Sequence, residues 1–372
     1  MKLARVLLKV AAALVVALIL FAALTPLGRY LVRAGIAEAK ILLARREIAT
    51  IVADATVDAA TRAKLNLVLQ SRAFAIDSLD LDAGESFTTF SKLERDTLVL
   101  VLSAAKRDKM ELHRWWFPLV GRLPYKGFFD FAQARRARED MRQRGYDTYL
   151  RPASAFSTLG WFNDPLLSTT LRADSAALAN TVIHELTHNT FYAPGEAIFN
   201  ESFANFVGAR GAERFFLARG DTGLARRTRE DWEDDKLLGR FYSELYRALD
   251  SAFQANPDDE ARRLEIREQM YADARRRLIE EIGPLLRTVP LRVLPRIQLD
   301  NAALLARRIY VTDLDLFDAV YAREGANLER TMERVIELAK SKPDEPFDAL
   351  RAWLDGGAAS DTTASAAESP SQ

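Results

Sequence analysis

Residues 182–188 read Val182-Ile183-His184-Glu185-Leu186-Thr187-His188, and the rest of the chain is organised around them. The stretch carries two of only three histidines in 372 residues, the third being His113. In a chain so poor in histidine, a shuffled sequence would contain H-E-x-x-H on the order of once in 10³ trials. Residues four apart on a helix stand one above the other, so His184 and His188 can present both imidazoles to one divalent cation. Glu185 is turned about 100° from His184 round the helix, which sets its carboxylate beside such a cation as the candidate general base. Asp174 or Ser175 can cap this helix, and the spacing predicts that it continues through Tyr192.

Catalytic zinc usually takes three protein ligands and leaves a fourth position to water. The chain has no cysteine, so the third ligand must be a His, Asp or Glu. Ala193-Pro194-Gly195-Glu196 reads as a helix-ending turn, with a second helix beginning near Phe199-Asn200-Glu201. With the turn centred between Pro194 and Gly195, His188 and Glu201 are equally far from the centre and face each other. Glu201 is therefore the expected third metal ligand. Glu196 is the rival carboxylate, but on the turn it stands further from His184 and is held less rigidly. Asn205, one turn after Glu201, is placed to hydrogen-bond a ligating histidine. Two imidazoles and one carboxylate suit Zn2+, and iron(II) accepts the same set.

Outward from this hairpin, nearly everything after Asp174 carries helical periodicity, interrupted at Pro194, Gly220, Asn256 to Pro257, Pro290, Pro295 and Pro343. Before it, Tyr30 to Arg46 and Ala60 to Phe74 have helical spacing. Short runs at Ser86 to Phe90, Thr97 to Leu102, Asp147 to Arg151 and Phe156 to Phe162 read as strands. The expected fold is α+β and predominantly α-helical, with a small mixed sheet region (28–172) before a helical metal-binding region (173–355). Residues 356–372 contain no large apolar side chain to offset the entropy of ordering and are expected to form a disordered tail.

At the other end, Lys2, Arg5 and Lys9 precede an unbroken apolar run from Val10 to Leu24, closed by Thr25, Pro26 and Gly28. This is the layout of an export signal or membrane anchor over residues 1–27. Positive residues stay inside, so the bulk of the chain is expected outside the membrane, anchored there or released after cleavage. The 52 Lys and Arg balance 52 Asp and Glu, which leaves no global field to hold a nucleic acid. Absence of cysteine excludes disulfides, a thiol nucleophile and iron–sulfur clusters.

His184 to His188 followed by Phe199-Asn200-Glu201-Ser202-Phe203-Ala204 resembles the gluzincin pattern of metallopeptidases, and in detail the bacterial putative aminopeptidase family. Pro118 to Phe129 (PLVGRLPYKGFF), Ser157 to Pro165 (STLGWFNDP) and Leu299 to Leu304 (LDNAAL) resemble that family's signature runs, so the resemblance covers residues 28–355. It implies a gluzincin-like fold and zinc-dependent hydrolysis of peptides by an envelope enzyme. By the same resemblance His184, His188 and Glu201 match the zinc ligands, and Glu185 the catalytic glutamate. The chain departs from thermolysin-like enzymes in a shorter interval between His188 and Glu201, and in Asn205 where those enzymes often have an aspartate. Many relatives carry a lipobox cysteine; this chain has none.

A developing oxyanion needs a further donor, for which His113 and Tyr310 are the candidates. Phe156 to Phe162 is the segment placed to align a peptide by main-chain hydrogen bonds. Trp115-Trp116-Phe117-Pro118 reads first as buried packing, and otherwise as a pocket wall or lipid contact. Two other functions fit the same residues: a membrane-attached protein with a structural metal, and another amide hydrolase such as a cell-wall amidase.

Overall fold

The computed structural model of the chain describes residues 2–93, 95, 97–117, 121–153 and 165–366. The apolar run and its basic flank form one helix, α1 (Lys2–Leu24). Of this, Ala4–Leu24 is long and apolar enough to cross a membrane, and none of its apolar window is buried in the protein. Thr25 ends it, and Pro26 opens α2 (Pro26–Leu43), where proline's fixed φ suits a first turn. The helix expected over Tyr30 to Arg46 thus begins earlier and stops sooner, because Arg46–Glu47 is drawn into a strand, β1. α3 (Ile48–Ala53) and α4 (Ala59–Leu79) follow. Asp58 caps α4 by accepting from the Thr61 amide, and Leu65, Val68, Ala75 and Leu79 line its buried side.

β2 (Thr89–Ser91) pairs with β1. β3 (Val99–Lys106) is the centre of a second sheet. The hairpin β4 (Trp115–Phe117) and β5 (Gly121–Leu123) precedes its neighbour β6 (Tyr125–Phe128). After α5 (Phe131–Gln143), β7 (Tyr146–Ala153) joins the other side of β3, antiparallel like β6. β8 (Leu166–Leu167) completes the first sheet beside β2. Three expected strands are therefore present with shifted ends, and Phe156 to Phe162 lies outside the described residues.

The two faces of β3 have separate tasks. Successive side chains point to opposite sides. Leu102 and Ala104, with Phe128 of β6, pack on Ala134 and Met141 of α5. Val101 and Ser103 lie on the other face. The register puts Val101 opposite Arg151 of β7 and Ser103 opposite Tyr125 of β6, so Arg151 and Tyr125 share that face.

The helical region comprises α6 (Ser175–Thr190), α7 (Ala197–Ala218), α8 (Thr222–Gln254), α9 (Glu260–Arg277), α10 (Asn301–Arg308), α11 (Leu314–Arg323), α12 (Leu328–Ser341) and α13 (Pro346–Ala366). Breaks fall as expected at Pro194, Gly220, Asn256 to Pro257, Pro290 and Pro343, whereas Pro295 lies inside a 3-10 helix (Leu291–Arg296) and α10, α11 and α12 are parted at 309–313 and 324–327, where no break was expected. Asp221, Asp259, Asp300 and Asn327 each cap a helix by accepting a backbone N–H. Phe203 and Phe206 on α7 stack with Phe317 of α11 in the main core, and Phe199, at helical spacing with them, meets the same ring at a tilt. That core also takes in Ile48, Leu65 and Leu79, so α3 and α4 pack with the helical region rather than apart from it.

At the far end, α13 runs to Ala366, where a disordered tail from Gly356 was expected. No proline removes a backbone donor between Gly356 and Ala366, and four alanines in that stretch favour continued helix.

Candidate metal centre

The hairpin begins with Asp174, whose carboxylate accepts from the Ala177 amide at 2.9 Å and starts α6. Val182, Ile183 and Leu186 are buried, which fixes the rotation of the helix. α6 stops at Thr190, before the expected Tyr192, because Phe191 is already extended. The turn is then clamped by Asn200. Its Oδ1 accepts from the Ala193 amide and its Nδ2 donates to the Ala193 carbonyl, both at 2.8 Å and both buried. Gly195 supplies a backbone with φ of 89°, open to glycine at little cost.

Close approach of the two helices depends on Gly208. A Cβ there would stand 2.3 Å from Asn180 Oδ1 and 3.2 Å from His184 Cβ. Gly208→Ala is therefore expected to push α7 from α6 beside a histidine of the centre. Overpacking of this kind costs about 1–3 kcal/mol. The variant should melt several degrees lower and bind divalent cations about tenfold more weakly, as calorimetry would read. Unchanged affinity would mean that the approach does not set the centre's geometry.

Across the hairpin, His184, His188 and Glu201 form a group that could hold a metal ion, with one donor atom from each within 4.8 Å of the others. His184 Nε2 lies 3.3 Å from Glu201 Oε2 and His188 Nε2 lies 3.8 Å from Glu201 Oε1. The two Nε2 atoms are 3.2 Å apart. A tetrahedral cation with ligands at about 2.0–2.1 Å sets them about 3.3 Å from one another. The donor set fits such an ion in both spacing and chemistry. Among the described residues no fourth His, Asp or Glu joins the group.

The local electrostatics follow from this convergence. Burial would raise the Glu201 carboxyl, but hydrogen bonds to His184 and His188 and their charges outweigh it and hold it at about 2. Burial would lower the His184 imidazole. The bond to Glu201, the charges of Glu185 and Glu201, and a hydrogen bond with Asn205 together raise it above its ordinary value.

Asn205 also donates its Nδ2 to the Tyr310 carbonyl at 2.5 Å, which ties His184 to the segment after α10. Burial, then the charge of Glu201, raises the Tyr310 phenol, which stays protonated and able to donate near neutrality. Tyr125 is raised by burial and by Tyr310, Glu201 and Tyr192, which places it on the same side of the centre. Arg151 Nη2 donates to Tyr310 Oη at 3.4 Å. Glu185 is exposed, and its charge acts on both His184 and Tyr310.

The other sequence candidates lie elsewhere. Glu196 stands at the start of α7 outside the group, raised by burial and by Asp344. His113 packs edge-on against Trp115 and Tyr146, and its imidazole is lowered by burial and Arg144. Phe117 is buried against Tyr30 of α2, whereas Trp116 is 60% exposed. Sequence reasoning missed Arg151, Tyr125, Asn200 and Gly208. Only Asn200 and Gly208 left any local trace, since both sit on the helix that carries Glu201.

The chain matches the family described as Putative aminopeptidase over residues 29–350. No curated protein and no solved structure matches it.

Proposed function

Because the chain belongs to the Putative aminopeptidase family, we propose that it is a zinc-dependent aminopeptidase of the bacterial cell envelope, of gluzincin type. The reading is carried by the convergence of His184, His188 and Glu201 across the α6–α7 hairpin. These three would hold the ion. When bound, zinc supplies Lewis acidity, polarising a carbonyl and making water acidic enough to ionise near neutrality.

Glu185 is the base in this scheme. It takes the proton from the attacking water and later gives it to the leaving amine, and its exposed position beside His184 leaves it free to exchange protons. Tyr310 donates its phenolic hydrogen to the carbonyl oxygen as negative charge builds there. Asn205 orients the His184 ring from behind. A ligand set limited to three side chains among the described residues favours this catalytic role over a structural one, which would close the coordination shell with protein.

α1 directs export. With Lys2, Arg5 and Lys9 retained inside, the body carrying the centre lies beyond the membrane.

The test uses the full chain and peptides with free or acetylated amino termini. Hydrolysis is expected to stop on chelation and to return with added Zn2+. Acetylated peptides should be cleaved about 10–100-fold more slowly, the usual worth of a charge-assisted hydrogen bond to the free amine. Equal cleavage of the acetylated peptides would remove the aminopeptidase assignment, and activity indifferent to chelation would remove the metal.

A further inference from the structure

We propose that Arg151, with the Tyr310 phenol beside it, receives a carboxylate carried by the residue on the leaving side of the scissile bond. This makes dipeptides, or peptides acidic at that residue, the preferred substrates. The assignment rests on the peptidase reading and adds a substrate class to it.

Arg151 reaches the site because β7 places it on the face of the sheet opposite α5, with Val101 and Tyr125. Its guanidinium lies 3.4 Å from Tyr310 Oη and 5.7 Å from the ring centre. Tyr310 is in turn bonded through its carbonyl to Asn205, one turn along α7 from Glu201. The cation is thus coupled to the metal group through two side chains.

Of the partly buried arginines that form no ion pair among the described residues, Arg151 is the one bonded to Tyr310 beside the metal group. Arg210, Arg263 and Arg267 are neutralised by Asp318, Asp108 and Asp147, whereas Arg307 and Arg308 rest on the rings of Tyr242 and Tyr246 away from the metal group. A partly desolvated charge without a partner is costly, and a ligand that supplies the anion removes that cost. Glu201, whose charge acts on Tyr310, is already committed to two imidazoles. The missing anion is therefore assigned to the substrate.

Distance sets its position along the peptide. With Tyr310 Oη on the scissile carbonyl oxygen, the guanidinium is one further step of 3.4 Å away. Acceptors on two donors this close lie within the reach of adjoining residues, each spanning about 3.3–3.6 Å, and in a peptide whose free amine lies before the scissile bond the carboxylate is assigned to the residue after it. Guanidinium and carboxylate can then pair through two parallel hydrogen bonds. The α-carboxylate of a dipeptide and the side chain of a following Asp or Glu share this chemistry.

The experiment compares alanyl-alanine, alanyl-alanine amide and alanyl-glutamate amide on the zinc-loaded full chain. Wild type should favour the free dipeptide over its amide about 10–100-fold in kcat/KM, chiefly through KM. Arg151→Gln should reduce that ratio to about 1. Arg151→Lys, which keeps the charge but not the fork, should retain part of it. Rescue of the amide by glutamate in wild type alone would place the side-chain carboxylate in the site; lack of rescue would restrict the site to the α-carboxylate. Calorimetric binding of the same dipeptide and amide to both proteins reads the preference without turnover. If nothing is hydrolysed but the Arg151-dependent binding preference is present, the peptidase reading fails and the carboxylate site stands. Equal rates for dipeptide and amide in wild type, or an equal loss on both in Arg151→Gln, would overturn the assignment.

Discussion

Replacing Glu201 by alanine is expected to weaken Zn2+ binding by about 10²–10³-fold, while Glu185→Gln leaves binding intact and stops hydrolysis. Four-ligand zinc sites bind with about 10–16 kcal/mol, so one ligand accounts for roughly 3 kcal/mol. Glu201 is positioned for that loss because its two oxygens serve different histidines, Oε2 towards His184 and Oε1 towards His188. Its removal takes away the only carboxylate of the group and leaves two imidazoles 3.2 Å apart. Glu185 lies on the same helix as the histidines but outside the group, so an isosteric amide should not disturb the donors. Loss of a general base typically lowers kcat about 10²–10⁴-fold. Metal content by mass spectrometry and affinity by calorimetry check the first variant, and turnover at saturating zinc checks the second. Full metal content in Glu201→Ala would move the third ligand elsewhere. Undiminished turnover in Glu185→Gln would deny it the proton.

Much of this centre is local in sequence, which is why it could be read before the fold. His184 and His188 need only the helical repeat to meet, and Glu201 needs only a turn of known centre. Helix breaks at Pro194, Gly220 and Pro343 are likewise set by single residues that cannot continue a helix. Arg151 and Tyr310 belong to a different class. They are 159 positions apart and meet only because β7 and α10 pack on one another. No periodicity encodes such a contact. Asn200 is intermediate: it lies inside the hairpin, but nothing in its neighbours shows that its amide faces the Ala193 backbone. At the end of α13 composition says less, since a stretch poor in large apolar residues argues against a core but not against a helix.

Asn301→Ala is expected to cost about 3 kcal/mol of stability. Asn301 is fully buried at the first turn of α10. Its Nδ2 faces the carbonyls of Lys106, Arg107 and Lys109 at 2.8, 3.1 and 3.2 Å, and its Oδ1 accepts from the Tyr271 hydroxyl at 2.8 Å. One amide therefore ties the turn after β3 to both α9 and α10. Alanine would leave the Tyr271 hydroxyl and at least one carbonyl without partners, each costing about 1–3 kcal/mol. Aspartate keeps the shape but turns an acceptor towards three carbonyls. It would also stand beside Asp147, which accepts from the Asn301 backbone N–H at 3.0 Å and is already raised by burial and, against the pull of Arg267, by Asp300. Asn301→Asp is therefore expected to be no more stable than Asn301→Ala, and thermal denaturation of both at neutral pH is the check. The effect should reach the metal centre as well, because α10 leads directly into Tyr310, whose carbonyl holds Asn205. Turnover at a temperature where both variants remain folded should fall more than zinc affinity does, since Tyr310 moves while the α6–α7 hairpin keeps its own clamp at Asn200. An aspartate variant as stable as wild type would show that the shape of this side chain, and not its donor, joins the sheet to the helices.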